Sequence, residues 1–200
     1  MRNQFKSKIK IMKNLFTLSL IVLTTIFTAC SSGKSVQRID PDKAVDLSGR
    51  WNDTDSKLVA EAMIKDCLGR PWHSDFKLAN DQKKPVVIVG LVKNRTHEHI
   101  NAETFINDIE KEMINSGLIR VVQDPEFREN LRKERGEQQE FASKETKKDW
   151  KEEIGADYML TGTINATVDQ AGREKVIAYQ IDLELSNIET NEKSWLGDHK

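Results

Sequence analysis

His97 and His99 flank Glu98 in a short polar segment that follows an apolar run ending at Val92. Imidazole and carboxylate groups bind zinc and act as general acids or bases, so this spacing raises the question of a metal or catalytic site. Two histidines separated by one residue are a weak signal, and the sequence places no third ligand, such as His73, beside them. We interpret the segment as an exposed connection and predict no metal and no cofactor.

Other sequence patterns that carry chemistry are absent. The chain has no GxxxxGK[ST] phosphate loop, no GxGxxG fingerprint and no GxSxG nucleophile elbow. Cys67 lies in an apolar helical pattern, which predicts a buried thiol rather than a nucleophile. We predict that the chain is not an enzyme and has no catalytic residues.

Residues 1–30 have the pattern of a bacterial lipoprotein signal peptide. Five basic and no acidic residues lie at its start, and the apolar stretch from Leu15 to Thr28 is short for a membrane span. The stretch ends in FTAC, where Ala29 precedes Cys30. We expect cleavage after residue 29 and lipidation of Cys30, which would anchor the chain to a membrane. An ordinary signal peptide with an incidental cysteine is the alternative.

Removal of residues 1–29 makes the chain acidic. The 31 basic residues fall to 26 when the five in the signal peptide are lost, against 32 acidic residues, so the charge changes from -1 to -6. Such a chain has no electrostatic reason to bind nucleic acid. We interpret residues 30–45 as the lipidated N-terminus and a short tether, which reaches about 50 Å when fully extended. Residues 46–200 form the predicted globular domain.

The first half of this domain alternates helical and strand patterns. A helix is predicted from about Asn52 to the GRP triplet at 69–71, followed by a polar connection over 72–84. The nearly continuous apolar run at 86–92 predicts a central strand covered on both faces.

A second helix is predicted over 102–116, with Asn101 as its cap and a short strand at 118–122 after it. This strand–helix–strand order predicts two parallel strands. The Asp124-Pro125 pair predicts the start of a third, highly charged helical region. Its expected inward anchors are Phe127, Leu131, Phe141 and Trp150.

The second half of the domain shows strict two-residue alternation. Residues 156–168 and 177–185 each place apolar side chains on one face and polar ones on the other, and the DQAG segment at 169–172 predicts a turn between them. A further short strand is expected around Trp195. The pattern predicts an α/β fold with a mixed sheet of four to five strands flanked by about four helices.

Three stretches resemble the LpoB family of outer-membrane lipoproteins, which activate a penicillin-binding protein. They are DLSGRWNDTDSKLVAEAMI at 46–64, VVIVGLVKNRT at 86–96 and GADYMLTGTI at 155–164. The resemblance implies a domain like the N-terminal domain of TolB. It also implies a non-enzymatic role, in which the chain binds a bifunctional penicillin-binding protein and stimulates peptidoglycan synthesis.

The resemblance implies candidate partner-binding residues only where its motif aligns. Asn94, Arg95 and Thr96 lie in that motif, and His97 and His99 follow it as further candidate contacts. Their position after the carboxyl end of a predicted strand is where ligands and partners dock in open α/β sheets. The sequence predicts neither the binding face nor the oligomeric state.

The tether departs from this family, whose best-known members carry a long proline-rich one. About 15 residues separate Cys30 from the domain, so the wall lies close, the protein stays at the inner membrane, or the partner differs. Ser31 after Cys30 favours the outer membrane, facing the periplasm, because Asp is the usual retention signal there. The alternative function is a TolB-like adaptor in an envelope transport or secretion assembly.

Overall fold

The computed structural model describes residues 49–148 and 151–200. The predicted signal peptide, Cys30, the tether and residues 46–48 of the predicted domain lie outside the described residues. Trp150, expected to be an inward anchor, also lies outside them.

Four helices and five strands follow one another along the described residues. They are α1 (Asp53–Leu68), α2 (Pro71–Ala79), β1 (Val86–Asn94), α3 (Ala102–Asn115), β2 (Arg120–Val122), α4 (Pro125–Phe141), β3 (Tyr158–Ala171), β4 (Glu174–Asn187) and β5 (Lys193–His199). The strands form one mixed sheet in the order β2-β1-β3-β4-β5. Strands β1, β2 and β3 are parallel, whereas β4 is antiparallel to both of its neighbours. The predicted α/β fold is confirmed.

Side-chain caps fix where two helices begin. The Asn52 side chain accepts hydrogen bonds from the backbone N–H groups of Thr54 and Asp55, at 2.8 and 3.3 Å, and Asp55 accepts one from Asn52 at 3.0 Å. This reciprocal capping box satisfies N–H groups that the first turn of α1 leaves free. Asn101 caps α3 more simply, by accepting one hydrogen bond from the backbone N–H of Glu103.

Helix α2 occupies a segment that the sequence predicted as a polar connection, and that prediction is wrong. Pro71, interpreted as the end of α1, is the first residue of α2, where its fixed φ suits a helix and its missing N–H costs nothing. Trp72 then packs edge-on against Tyr158, with ring centroids 5.0 Å apart. Its indole Nε1 donates a 2.7 Å hydrogen bond to the carbonyl of Cys67. Phe76 of the same helix also packs edge-on against Tyr158, so tertiary packing of aromatic side chains stabilises this helix.

Strand β1 extends two residues past its predicted end, to Asn94. Its pairing with β3 shifts between Val89 and Val92, which marks a β-bulge at Gly90 and Leu91. The bulge turns Leu91 out of the core, and this side chain is 62% exposed. The prediction of coverage on both faces therefore holds only for residues 86–89, which are all buried.

The hydrophobic core lies between the sheet and helices α1 and α3. It contains the strand residues Val87, Val89, Val92, Leu160, Ile164, Leu183 and Leu185 and the helix residues Met63, Ile64, Phe105, Ile109 and Met113. The buried strand residues follow the predicted alternation, since β3 and β4 pair residue by residue from Tyr158↔Asn187 onward. The strand predicted around Trp195 is β5, and Trp195 is buried.

Helix α4 packs differently from the prediction. The strand order β2-β1-β3 means that the chain crosses from β1 to β2 and then back to β3, so the usual right-handed crossover would place α3 and α4 on opposite faces of the sheet. The expected inward anchors Phe127, Leu131 and Phe141 are exposed, and no residue of α4 is buried. The expectation for these three side chains is wrong. Their spacing is helical, but the helix does not pack its apolar side chains into the core. Helix α4 is instead attached through its exposed face, where Arg132 and Arg135 form ion pairs with Glu153.

The β3–β4 hairpin is longer than predicted. The turn lies at Gly172 and Arg173, two residues past its predicted centre, and Gly172 adopts a φ of +63° that suits this tight turn. Pairing with β1 ends at Ile164, and pairing with β5 ends at Ile181. The end of the hairpin therefore extends past the sheet as a two-stranded ribbon.

Candidate functional site

The five predicted partner-binding residues lie together in the loop that leads from β1 to α3. Exposure alternates along this loop: Asn94, Thr96 and Glu98 are partly buried, whereas Arg95, His97 and His99 are exposed. The loop starts at the carboxyl end of β1, and its backbone stays attached to β3 because the N–H of Arg95 donates a 2.8 Å hydrogen bond to Ile164.

Asn94 and Thr96 form the inner framework of the loop. The Asn94 Oδ1 accepts hydrogen bonds from the backbone N–H and the hydroxyl of Thr96, at 2.9 and 2.8 Å, and its Nδ2 donates to the carbonyl of Glu98 at 2.9 Å. The Thr96 Oγ1 in turn accepts from the N–H of Glu98 at 3.1 Å. Both side chains are occupied in shaping the turn, an arrangement typical of Asn and Thr in loops. Their polar atoms face the loop rather than a partner.

Glu98 connects the loop to distant parts of the chain. Its Oε2 accepts a 2.7 Å hydrogen bond from the hydroxyl of Tyr179 in β4, and its Oε1 lies 3.8 Å from the guanidinium of Arg50. The Tyr179 hydroxyl also accepts a hydrogen bond from the backbone N–H of Trp51 at 3.1 Å. Burial, and then the nearby Glu98 carboxylate, raise the pKa of Tyr179 above its ordinary value. The loop is therefore fixed to β4 and to the stretch that precedes α1.

The exposed residues at the end of β1 and in the loop that follows form a row of basic side chains. Lys93, Arg95, His97 and His99 occupy alternate positions, all four are exposed, and none makes an ion pair within residues 49–148 and 151–200. We call these four side chains the basic row. Because they are free of intramolecular partners, they can pair with acidic groups of another molecule.

The residues that hold this site in place were not predicted from the sequence. Tyr179 lies 81 positions along the chain from its partner Glu98, and Trp51 lies 128 positions from its partner Tyr179. The available signal was weak: Tyr179 continues the apolar alternation of β4 but carries a hydroxyl, which needs a partner when partly buried.

Among residues 49–148 and 151–200, no metal-binding group of side chains forms around His97 and His99. Glu98 faces Tyr179 rather than either imidazole, and His73 lies elsewhere, with its Nε2 3.2 Å from the carbonyl oxygen of Leu118. In the part of the chain that is described, no three His, Cys, Asp or Glu side chains come together as a metal site. Burial raises the pKa of the Cys67 thiol to about 12, which removes its nucleophilic form at neutral pH.

None of the described helices is both long enough and apolar enough to span a membrane. The predicted lipid attachment at Cys30 falls outside the described residues.

Comparison with known proteins gives one family match. Residues 55–200 match the family described as peptidoglycan-synthase activator LpoB. No curated protein matches the sequence.

Solved structures of low sequence identity are also similar. The LpoB C-terminal domain from Escherichia coli is 17% identical, with a TM-score of 0.44 over 72% of this chain and 96% of that one. The same domain from Salmonella enterica is 18% identical, with a TM-score of 0.35 over 64% and 91%. Lipoprotein GNA1162 from Neisseria meningitidis is 11% identical, with a TM-score of 0.36 over 58% and 81%.

Proposed function

Because the chain belongs to the LpoB family of peptidoglycan-synthase activators, we propose that it is an envelope lipoprotein that binds and activates a bifunctional penicillin-binding protein. The observation that carries this proposal is the extent of the family match, which covers residues 55–200 and so every helix and strand from α2 to β5. Activation by binding makes the chain a regulator of cell-wall synthesis rather than an enzyme.

The anchor follows from the N-terminal sequence. We propose that Cys30 carries lipid and holds the domain at the outer membrane, facing the periplasm, with Ser31 in the position that governs sorting. Fractionation of membranes from cells that produce the chain tests this: the native chain should be recovered with the outer membrane, and Cys30→Ala should be recovered in the soluble periplasmic fraction. Recovery of both forms in one fraction contradicts the anchor.

The basic row is the proposed contact with the synthase. Its four side chains are exposed at the carboxyl end of β1, and the Asn94–Thr96–Glu98 framework holds the loop in one shape. A preshaped loop loses less conformational entropy when it binds. Asn94 and Thr96 would therefore act through the shape of the loop, whereas Arg95, His97 and His99 would make the contacts.

Activation is tested directly with purified proteins. The soluble domain, residues 47–200, is added to a reconstituted bifunctional synthase, and glycan polymerisation is measured. We expect stimulation by the native domain and a loss of at least tenfold in apparent affinity for Lys93→Glu/Arg95→Glu. The control is Lys57→Glu/Lys111→Glu, which makes the same change in net charge on exposed α1 and α3 positions and should stimulate normally. Unchanged polymerisation with the native domain contradicts the proposed function.

The short tether favours one competing function. With about 15 residues between Cys30 and the domain, the reach of about 50 Å limits contact with a synthase across the envelope. An adaptor in an envelope transport or secretion assembly needs less reach. Crosslinking in cells, followed by identification of the partner, separates the two: recovery of a transport or secretion component in place of a synthase would favour the adaptor.

A further inference from the structure

A groove of about 1000 Å³ lies at the end of the sheet opposite to the basic row. Helix α2 forms one wall, and the β4–β5 turn forms the other. The start of β3, at Tyr158, lies between them. The basic row begins beside Ile164, six residues further along β3, so the two surfaces are separated by about 20 Å.

The floor of the groove is aromatic. Tyr158 lies between Trp72 and Phe76, with ring centroids at 5.0 and 5.7 Å and edge-to-face orientations. Trp72 and Tyr158 are buried, and Phe76 is partly exposed at the surface of the groove. The π faces of such rings attract cations, and more so where water is partly excluded.

The rim of the groove is acidic. Four carboxylates line it, Asp75, Asp157, Glu189 and Glu192, against one cation, Lys193. The ammonium group of Lys193 is already paired with Glu184. Asp75 and Glu189 make no side-chain hydrogen bond or ion pair in the described part of the chain, so their charges are uncompensated. The pKa of Tyr158 is raised, first by burial and then by the negative charges of Asp157 and Asp75.

The walls of the groove are held in place by hydrogen bonds. The Asp157 carboxylate accepts from the backbone N–H of Val86 at 2.7 Å, and its carbonyl accepts from Ile188 at 2.9 Å. The Asn187 side chain accepts from the N–H groups of Glu189 and Thr190, which fixes the turn. A groove that is already formed in the free protein binds with a smaller ordering cost.

We propose that this groove docks a segment of a partner protein that carries Lys or Arg side chains, with the aliphatic or planar parts over the aromatic floor and the charges against the acidic rim. The inference deepens the proposed function, because the segment belongs to the synthase. It gives that partner a second contact, opposite in charge to the basic row.

The first experiment does not depend on the synthase. A fluorescein-labelled nine-residue peptide of alternating Arg and Ser is titrated with the mature chain, residues 30–200, in neutral detergent, and the anisotropy of the peptide is measured. We expect saturable binding that Asp75→Lys/Glu189→Lys weakens at least tenfold. The matched control is Asp169→Lys/Glu174→Lys at the hairpin turn, with the same change of +4 in net charge and exposed, unpaired positions. It should weaken binding less than threefold.

Three results would overturn the groove as the docking site. The first is that the peptide shows no saturable binding. The second is an equal loss of affinity in the two charge variants, which would mean general attraction to an acidic chain. The third is no loss of affinity in the groove variant. Phe76→Ala separates the aromatic contribution, with an expected loss of about fivefold and an unchanged salt dependence. Circular dichroism of each variant verifies that the fold is retained.

A second experiment distinguishes this inference from the proposed function. The native chain, the groove variant and the hairpin-turn control are tested for binding to the purified synthase. Loss in the groove variant alone supports both proposals. If the peptide binds in the groove but the native chain does not bind the synthase, the proposed function fails and the groove stands. If the synthase binds all three forms equally, the segment does not come from the synthase, and that assignment is overturned.

Discussion

At the scale of single residues, the candidate site depends on which polar atoms are already satisfied inside the protein. The Tyr179 hydroxyl donates to Glu98 and accepts from the backbone of Trp51, so one oxygen connects the basic loop, β4 and the segment before α1. Tyr179 is only partly exposed, so these bonds are protected from water. A part-buried donor or acceptor that loses its hydrogen-bond partner lowers the free energy of unfolding.

Tyr179→Phe should therefore lower the free energy of unfolding by about 1–2 kcal/mol, because two part-buried groups lose their partner. Urea denaturation of the soluble domain measures this change. Glu98→Gln is the matched control, since its amide oxygen still accepts the tyrosine hydrogen bond, and it should cost less than half as much. Equal losses in the two variants would mean that the ion pair of Glu98 with Arg50, rather than the hydroxyl, carries the stability.

Cys67 predicts how stability changes at alkaline pH. Its thiol has a pKa of about 12 in the folded protein, raised by burial from 9.0. Below pH 9 the thiol is protonated in both states and its contribution is complete; above pH 9 only the unfolded chain ionises, so stability falls. Between pH 9 and 10 this single group should remove about 1 kcal/mol. The free energy of unfolding of Cys67→Ala should therefore fall by about 1 kcal/mol less than that of the native domain over the same pH interval, as measured by urea denaturation at each pH. Parallel curves for the two proteins would contradict the assignment.

Part of the candidate site could be predicted from the sequence. Lys93 to His99 was recognisable as a connection because an apolar strand ends before it and a capped helix follows it. The inward direction of Glu98 was not predictable, since its partners Tyr179 and Arg50 lie far away in the chain. Local pattern determines the position of the loop, whereas tertiary contacts determine which of its side chains remain exposed.

At the scale of elements, the helices that were predicted correctly are those whose apolar face meets the core. Helix α3 has its cap where the sequence indicated, and its apolar residues Phe105, Ile109 and Met113 are buried. Two predictions were wrong: α2 was not predicted as a helix, and the apolar side chains of α4 were expected to be buried. A nine-residue helix is too short to show a clear period, and the apolar residues of α4 follow helical spacing without any buried position.

Trp72 tests whether packing orders α2. Trp72→Ala removes a buried ring and its hydrogen bond to Cys67, and should destabilise the domain by about 3–5 kcal/mol. Leu78→Ala on the same helix is the control: its side chain is 75% exposed, so the change should be within about 0.5 kcal/mol. The free energy of unfolding from urea denaturation measures both. A small effect of Trp72→Ala would mean that local propensity alone holds the helix.

At the scale of the whole molecule, strand direction separates two surfaces of opposite charge. Strands β1 and β3 are parallel, so the basic row lies at their carboxyl ends and the acidic groove lies where β3 begins. Arg50 and Trp51 pack near the basic row, so the first described residues lie at that end of the domain. An asymmetric charge pattern of this kind orients a charged partner as it approaches and makes association depend on ionic strength.

The separation of the two surfaces leads to a prediction about their energies. Sites about 20 Å apart that share no side chain contribute independently, so the losses in synthase binding from Lys93→Glu/Arg95→Glu and Asp75→Lys/Glu189→Lys should add to within about 0.5 kcal/mol. Titration of the synthase with the native chain, each variant and their combination gives the four dissociation constants of the cycle. The combined variant restores the net charge, so a loss that depended on total charge would cancel. Additive losses therefore require two separate contacts, whereas recovery of binding in the combined variant would show that only the overall charge of the domain matters.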